Sequence, residues 1–223
     1  MIINLKIFLT YLLVFLFISL FLQSCKKKNE KLTISGYVYE TNESTAVKDV
    51  RVTLLAKKIT SGTWNSNYET INSAITGNDG KFSFTFDIVK VSGYRLTFDK
   101  TNYFYLTQNL SGDVVSKGEE YNRNYQINPV AYLRLHIKNV SPYNSDDYMS
   151  YYLVGGTSNG NECCSDSTSK FYGKSIDITR ICKAYANQNI TINWNYTKHN
   201  NFQLKTTNVT CTPLDTTSVD LFY

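Results

Sequence analysis

Histidine is nearly missing from this chain: 223 residues hold two, His136 and His199, far apart in sequence. Proline is scarce at three, glycine stands at 11, and 18% of residues are charged. So little Pro and Gly excludes collagen-like and low-complexity structure. HExxH, P-loop and GxGxxG patterns are all lacking. A Ser-His-Asp triad would have to recruit one of the two histidines. A glycosidase pair needs two acids held across a cleft, and Asp146-Asp147 reads as a solvated loop pair. The cysteines contain no CxxC, the usual mark of a thiolate zinc site. The formal charge of +5 is diffuse beyond one lysine run, without the basic stripe that nucleic-acid binding requires. The expectation is therefore no catalytic residue, no metal, no cofactor and no nucleic-acid partner.

What the chain has is β-forming material. Tyr and Phe number 18 and 12 and suit pleated surfaces, while abundant Asn, Ser and Thr suit turns. The expected fold class is all-β, as two antiparallel β-sandwiches behind a cleaved leader. The expected division is a signal peptide over 1–24, a linker over 25–31, a first sandwich over 32–127 and a second over 128–223.

The leader rests on residues 7–22, almost all apolar, with Lys6 the one charge ahead of them. That is the pattern of a secretory signal. At about 16 residues the run is short for a bilayer core, which needs roughly 20. Leu22-Gln23-Ser24-Cys25 resembles the lipobox of bacterial lipoproteins. The resemblance implies that Cys25 is lipidated and becomes the first mature residue. Two or three acyl chains anchor stably where one does not, and the adjacent Lys26-Lys27-Lys28 suits anionic head groups. Surface-export tags of Bacteroidetes-type lipoproteins are acidic after Cys, and here Glu30 is the nearest acid. Outer-membrane attachment is expected, with the membrane face left open.

Four further cysteines, Cys163, Cys164, Cys182 and Cys211, fall in the C-terminal half. An exported chain can keep disulfides. A bond between adjacent Cys163 and Cys164 would be strained, which leaves two pairings. Either Cys163–Cys182 accompanies Cys164–Cys211, or Cys163–Cys211 accompanies Cys164–Cys182.

In the first half, residues 32–39 alternate as a half-buried strand, and 50–54 place Val50, Val52 and Leu54 on one face. Residues 58–73 read as a long polar hairpin or loop. Asp79-Gly80 turns the chain into a strand carrying Phe82, Phe84 and Phe86 on one side; it lacks the ligand spacing of a calcium loop. Further strands are expected at 93–98 and 103–106. Ile34-Ser35-Gly36-Tyr37-Val38, Val47-Lys48-Asp49-Val50-Arg51-Val52, Thr76 through Phe82, and Tyr94-Arg95-Leu96 together resemble the carboxypeptidase regulatory-like, or transthyretin-like, β-sandwich. That resemblance covers residues 32–106. It implies a seven-stranded spacer, docking module or folding aid without catalysis of its own.

In the second half, Asn128-Pro129 marks a joint. Ala131, Leu133, Leu135 and Ile137 alternate with Tyr132, Arg134, His136 and Lys138, which puts His136 on a solvated face. Strands are expected at 151–154, 175–182, 189–196 and 219–223, with a short helical turn possible after the second of these. This layout resembles small Bacteroidetes lipoproteins of two sandwiches. Tyr37, Tyr39, Trp64, Tyr68, Tyr151, Tyr152 and Trp194 are candidates for stacking on sugars, Trp64 foremost because it falls in the polar 58–73 stretch. Asp166-Ser167-Thr168 and Asp215-Thr216-Thr217 resemble O-glycosylation acceptor triplets of that phylum. The expected function is a membrane-anchored, non-enzymatic envelope lipoprotein that binds or scaffolds a protein or glycan partner. The alternative is a filament subunit similar to fimbrillins, against which stands the lack of any Arg between Cys25 and Arg51.

Overall fold

The computed structural model describes residues 31–60, 63–64, 67–88, 91–110, 120–155 and 164–223, with residues 60, 63 and 64 in backbone only. The leader, Cys25, Cys163 and the Trp64 side chain lie outside what is described. Every regular element among the described residues is a strand. In chain order these are β1 (Lys31–Glu40), β2 (Arg51–Thr60), β3 (Thr63–Trp64), β4 (Glu69–Ile75), β5 (Lys81–Asp87), β6 (Val91–Asp99), β7 (Leu106–Leu110), β8 (Tyr121–Asn122) and β9 (Tyr125–Ile127). They continue as β10 (Val130–Lys138), β11 (Tyr148–Val154), β12 (Ser169–Tyr172), β13 (Asp177–Tyr185), β14 (Asn189–Lys198), β15 (Asn201–Thr210) and β16 (Thr216–Phe222). The protein is all-β.

Strands β1 to β9 enclose one core. Sheet β5-β1-β8, extended by β9 along β1, faces sheet β3-β2-β6-β7, with β4 also on β2. The period-2 alternation of each strand puts its apolar set between the sheets. Leu32, Ile34 and Val38 of β1 meet Val52 and Leu54 of β2 and Leu96 and Phe98 of β6, all fully buried or within 1% of it. Phe82 sits edge-on to Phe98 at 6.0 Å, and Phe98 lies 4.5 Å from Tyr125. Side chains of this size contribute about 1.5–3 kcal/mol each when fully buried.

Two signals in the sequence acquire physical causes here. Strands β8 and β9 both pair parallel with β1. Between them, Arg123 N–H donates to Ser35 O at 3.1 Å and the Asn124 side chain accepts from Tyr37 N–H at 3.3 Å. This segment lies against Gly36, where a Cβ would stand 1.9 Å from Arg123 O. Thr76 is buried and ties two segments: its hydroxyl donates to Val47 O at 2.7 Å and accepts from Val50 N–H at 2.9 Å.

Strands β10 to β16 enclose a second core. Sheet β13-β10-β16 faces sheet β12-β11-β14-β15. Ala131, Leu133, Leu135 and Ile137 are fully buried. Pairing is mostly antiparallel, but β16 lies parallel to β10, because the chain crosses from β15 in one sheet to β16 in the other. Residues 177–185 are strand throughout, without a helical turn. The described part of 58–73 fits the hairpin alternative: β2 pairs with β3 and, across a bulge at Leu54/Leu55, with β4. One other expectation is corrected. The strand expected at 103–106 begins instead at Leu106, while Tyr103 makes an isolated bridge to Pro129.

The passage between the two cores is held from both sides. Phe104 N–H donates to Asn128 O, Val130 N–H to Asn102 O, and Ala186 N–H to Pro129 O, at 2.9, 2.9 and 3.0 Å. Phe104 meets Tyr185 edge-on at 4.6 Å. The Asn187 amide donates to Glu43 at 2.5 Å, and Tyr103 OH donates to Glu40.

Candidate functional site

Of the cysteines, Cys164 and Cys182 are bonded to each other, with Cα atoms 5.7 Å apart. Cys164 sits in the turn ahead of β12 and Cys182 in β13, so the bond ties one sheet of the second sandwich to the other. Cys211 is a free thiol, buried, at the turn after β15. Burial pushes its pKa up, against a hydrogen bond with Thr217. The structure thus contains half of the second pairing. The expectation of a second bond does not hold at Cys211, whose side chain is enclosed by the core.

The histidines stay apart. His136 stands on the outward face of β10, with Nε2 2.8 Å from Asp177 and Nδ1 3.6 Å from Asp220. Lys138 also reaches Asp177, at 2.7 Å. The Asp177 carboxyl is held below its ordinary range by its bonds to Lys138 and His136. These contacts link three strands, β13, β10 and β16. His199 instead stacks on Tyr143 at the end of the second sandwich.

That end corrects the reading of Asp146-Asp147 as a solvated pair. Asp146 is exposed, but Asp147 is 1% exposed. It accepts from the Asn139 side chain at 2.8 Å, from Tyr143 N–H at 2.8 Å and from Asn144 N–H at 3.4 Å. Burial pushes its pKa up, and these donors with the Lys198 charge outweigh that and hold it below its ordinary value. The same loop borders a polar cavity of about 280 Å³ lined by Tyr143, Asp146, Asp147, Lys198 and His199. With its carboxylate already held by three donors, Asp147 acts as the tie of that loop. The spacing Asn139…Asp147 gave no periodic signal that would have exposed this.

The aromatic candidates divide. Tyr151 and Trp194 are buried in the second core. Tyr37 stacks on Tyr39 at 5.8 Å on the outer face of β1, under Lys81, and Tyr68 lies beneath Arg95 at 3.9 Å. Tyr152 is exposed on β11. Sequence reasoning missed its companions Tyr148 and Tyr172, whose rings lie 4.9 Å apart on the same sheet face. The signal was available in the alternation of 148–154 and 169–172. In the two acceptor-like triplets, Ser167, Thr168 and Thr216 are exposed and Thr217 is half-buried. Asp79 receives Lys81 N–H at 3.0 Å and Gly80 has φ of +74°, the geometry of a turn.

No protein-family model matches the chain, and no curated protein matches it. Among solved structures it is similar to the dioxygenase domain of a dioxygenase–carbohydrate-binding fusion from Streptomyces sp. SirexAA-E, at 12% identity and TM-score 0.34, over 46% of this chain and 84% of that one. It is also similar to the shaft pilin SpaA of Lactobacillus rhamnosus GG, at 9% identity and TM-score 0.29, over 86% and 96%. A third is the minor pilin GBS52 of Streptococcus agalactiae, at 15% identity and TM-score 0.32, over 86% and 94%. Likeness at this level carries no functional argument.

Proposed function

We propose that the protein is a non-enzymatic lipoprotein of the Bacteroidetes type, fixed to the outer membrane through Cys25. It presents two β-sandwich domains, over 32–127 and 128–223, as a binding or scaffold module for an envelope protein or glycan. The observation that carries this is the Leu22-Gln23-Ser24-Cys25 sequence after an apolar leader, with Lys26-Lys27-Lys28 behind it. Five residues separate Cys25 from the strand that opens at Lys31, a tether of at most about 18 Å. A short tether on a body whose cores are joined by hydrogen-bonded backbone suits a rigid presenting module. Fractionation of cells expressing the full chain and its Cys25→Ala variant tests the reading. The full chain should partition with the outer membrane and the variant should not; equal partitioning would count against it.

A second reading, a filament subunit similar to fimbrillins, is favoured by one observation. Among the described strands, β15 pairs with β14 alone, leaving ten residues of open edge, the feature that recruits a strand from another chain. Trimming at Arg51 would remove β1, which pairs with β5, β8 and β9, so assembly would need another route. Native protein found solely as a monomer would exclude it.

A further inference from the structure

The outward face of sheet β12-β11-β14-β15 is a groove. The side chains that β14 directs outward are Asn189, Thr191, Asn193, Asn195 and Thr197, all polar; the last four are half-buried and form the floor. On one bank stand Tyr172 of β12 (66% exposed) and Tyr152 of β11 (40%); on the other stand Phe202 (58%) and Leu204 (69%) of β15. The registers fix the rows: Tyr172, Tyr148, Thr197 and Phe202 lie abreast, as do Ser150, Asn195 and Leu204. β11 and β15 are two strand spacings apart, roughly 10 Å, β12 and β15 three, roughly 14 Å, and the four floor residues run about 20 Å.

The floor is ordered before any ligand arrives. Asn195 donates to Ser150 Oγ at 2.9 Å, Thr206 donates to Asn193 Oδ1 at 3.0 Å, and Thr191 donates to Asn208 Oδ1 at 2.8 Å. These bonds leave the Asn193 amide nitrogen and the Asn195 carbonyl oxygen unused. One can donate and the other accept.

We propose that this groove binds a single uncharged polysaccharide chain laid along β14. Charge supports an uncharged occupant: among the outward side chains of the four described strands, Lys170 is the one charged group and there is no carboxylate. Sugar C–H faces stack on tyrosine rings at the banks, and sugar hydroxyls meet the amides and hydroxyls of the floor. A second protein sheet would bury that floor without partners, which is unfavourable. A glycan supplies a hydroxyl at each step. This inference deepens the binding-module reading and rests on it.

The test uses the full chain in detergent, co-sedimented with insoluble cellulose, chitin, β-1,3-glucan and xylan, and with gelled polygalacturonate as an acidic contrast. Retention on at least one neutral polymer is expected, unchanged by added salt. The double variant Tyr152→Ala/Tyr172→Ala should weaken it about tenfold or more. Asn193→Ala should also weaken it, and Tyr105→Ala, which removes an exposed ring of the first sandwich, should not. Variants are compared only after their thermal transitions match that of the parent. No retention on any neutral polymer, undiminished retention in the double variant, or salt-sensitive retention on polygalacturonate alone would each overturn the proposal. Membrane partitioning through Cys25 is measured on the same preparations. A failed groove with anchorage intact sinks this inference alone; failed anchorage sinks the envelope reading.

Discussion

The carbonyl oxygen of Arg123 lies directly over Gly36, 1.9 Å from where a Cβ would be. The opposing atom is backbone, so a larger residue cannot be accommodated by a rotamer change. Gly36→Ala should therefore force β8 and β9 off β1 and cost about 3 kcal/mol, the upper range for overpacking. Gly93 meets nothing within 4 Å of its would-be Cβ, and Gly93→Ala should change stability by less than about 0.5 kcal/mol. Urea denaturation of the two variants separates a steric requirement at 36 from a general intolerance of strand glycines.

Reducing the Cys164–Cys182 bond should cost about 3 kcal/mol. Its partners are 18 residues apart, and a loop near that length constrains the unfolded chain by roughly that amount. Denaturant midpoints of Cys182→Ala and of reduced protein should coincide. Cys211, buried and with its pKa pushed up, should resist alkylation in the folded protein and react once it is unfolded, as peptide mass mapping would show.

The Asp147 loop gives the protein an acid limit. The folded pKa is depressed, so its stabilisation is fully present above the unfolded value of about 3.9 and is lost as pH falls through the folded value. Asp147→Asn puts amide N–H groups against the Asn139 and Tyr143 donors and should cost about 1–3 kcal/mol at neutral pH. The gap between variant and parent should shrink as pH drops below about 4. Urea titrations at neutral and acid pH check this, and a gap independent of pH would contradict it.

Tyr223 gives an alkaline limit at the same end of the sandwich. Its hydroxyl is buried without a partner, and burial, aided by the Asp147 charge, pushes its pKa up to about 12. A raised folded value means stability is intact below the unfolded pKa of about 10 and is lost as pH rises toward 12. Tyr223→Phe should flatten that loss, and at neutral pH should be neutral or stabilising by about 1 kcal/mol. Thermal melts across the alkaline range read both effects.

The core faces were the legible part of this molecule. The alternation at 131–137 and the Phe82, Phe84, Phe86 run mapped directly onto buried sets, because a two-residue period has one geometric meaning in a sheet. Which strands pair was not legible. The parallel contacts of β1 with β8 and of β10 with β16 depend on crossings that leave no local mark. Asp147 was misread because its burial comes from donors on its own loop, invisible to hydropathy. The groove was half visible: Tyr152 was singled out, but the platform exists only once register places Tyr172 and Phe202 on the same side.

The joint between the cores should make unfolding concerted. Phe104→Ala removes the edge-on contact with Tyr185, a pair worth about 1 kcal/mol beyond its buried area. Calorimetry of the parent should show one transition, and the variant should show two resolved ones. Two transitions in the parent would contradict a rigid joint.

The central claim is that a lipidated Cys25 begins the mature protein. Mass spectrometry of the amino-terminal peptide from protein made in an envelope-competent bacterium tests it most directly. The account predicts a peptide starting at Cys25 and carrying diacylglycerol, with an acylated amine. A peptide retaining residues 1–24, or a Cys25 without lipid, would contradict it.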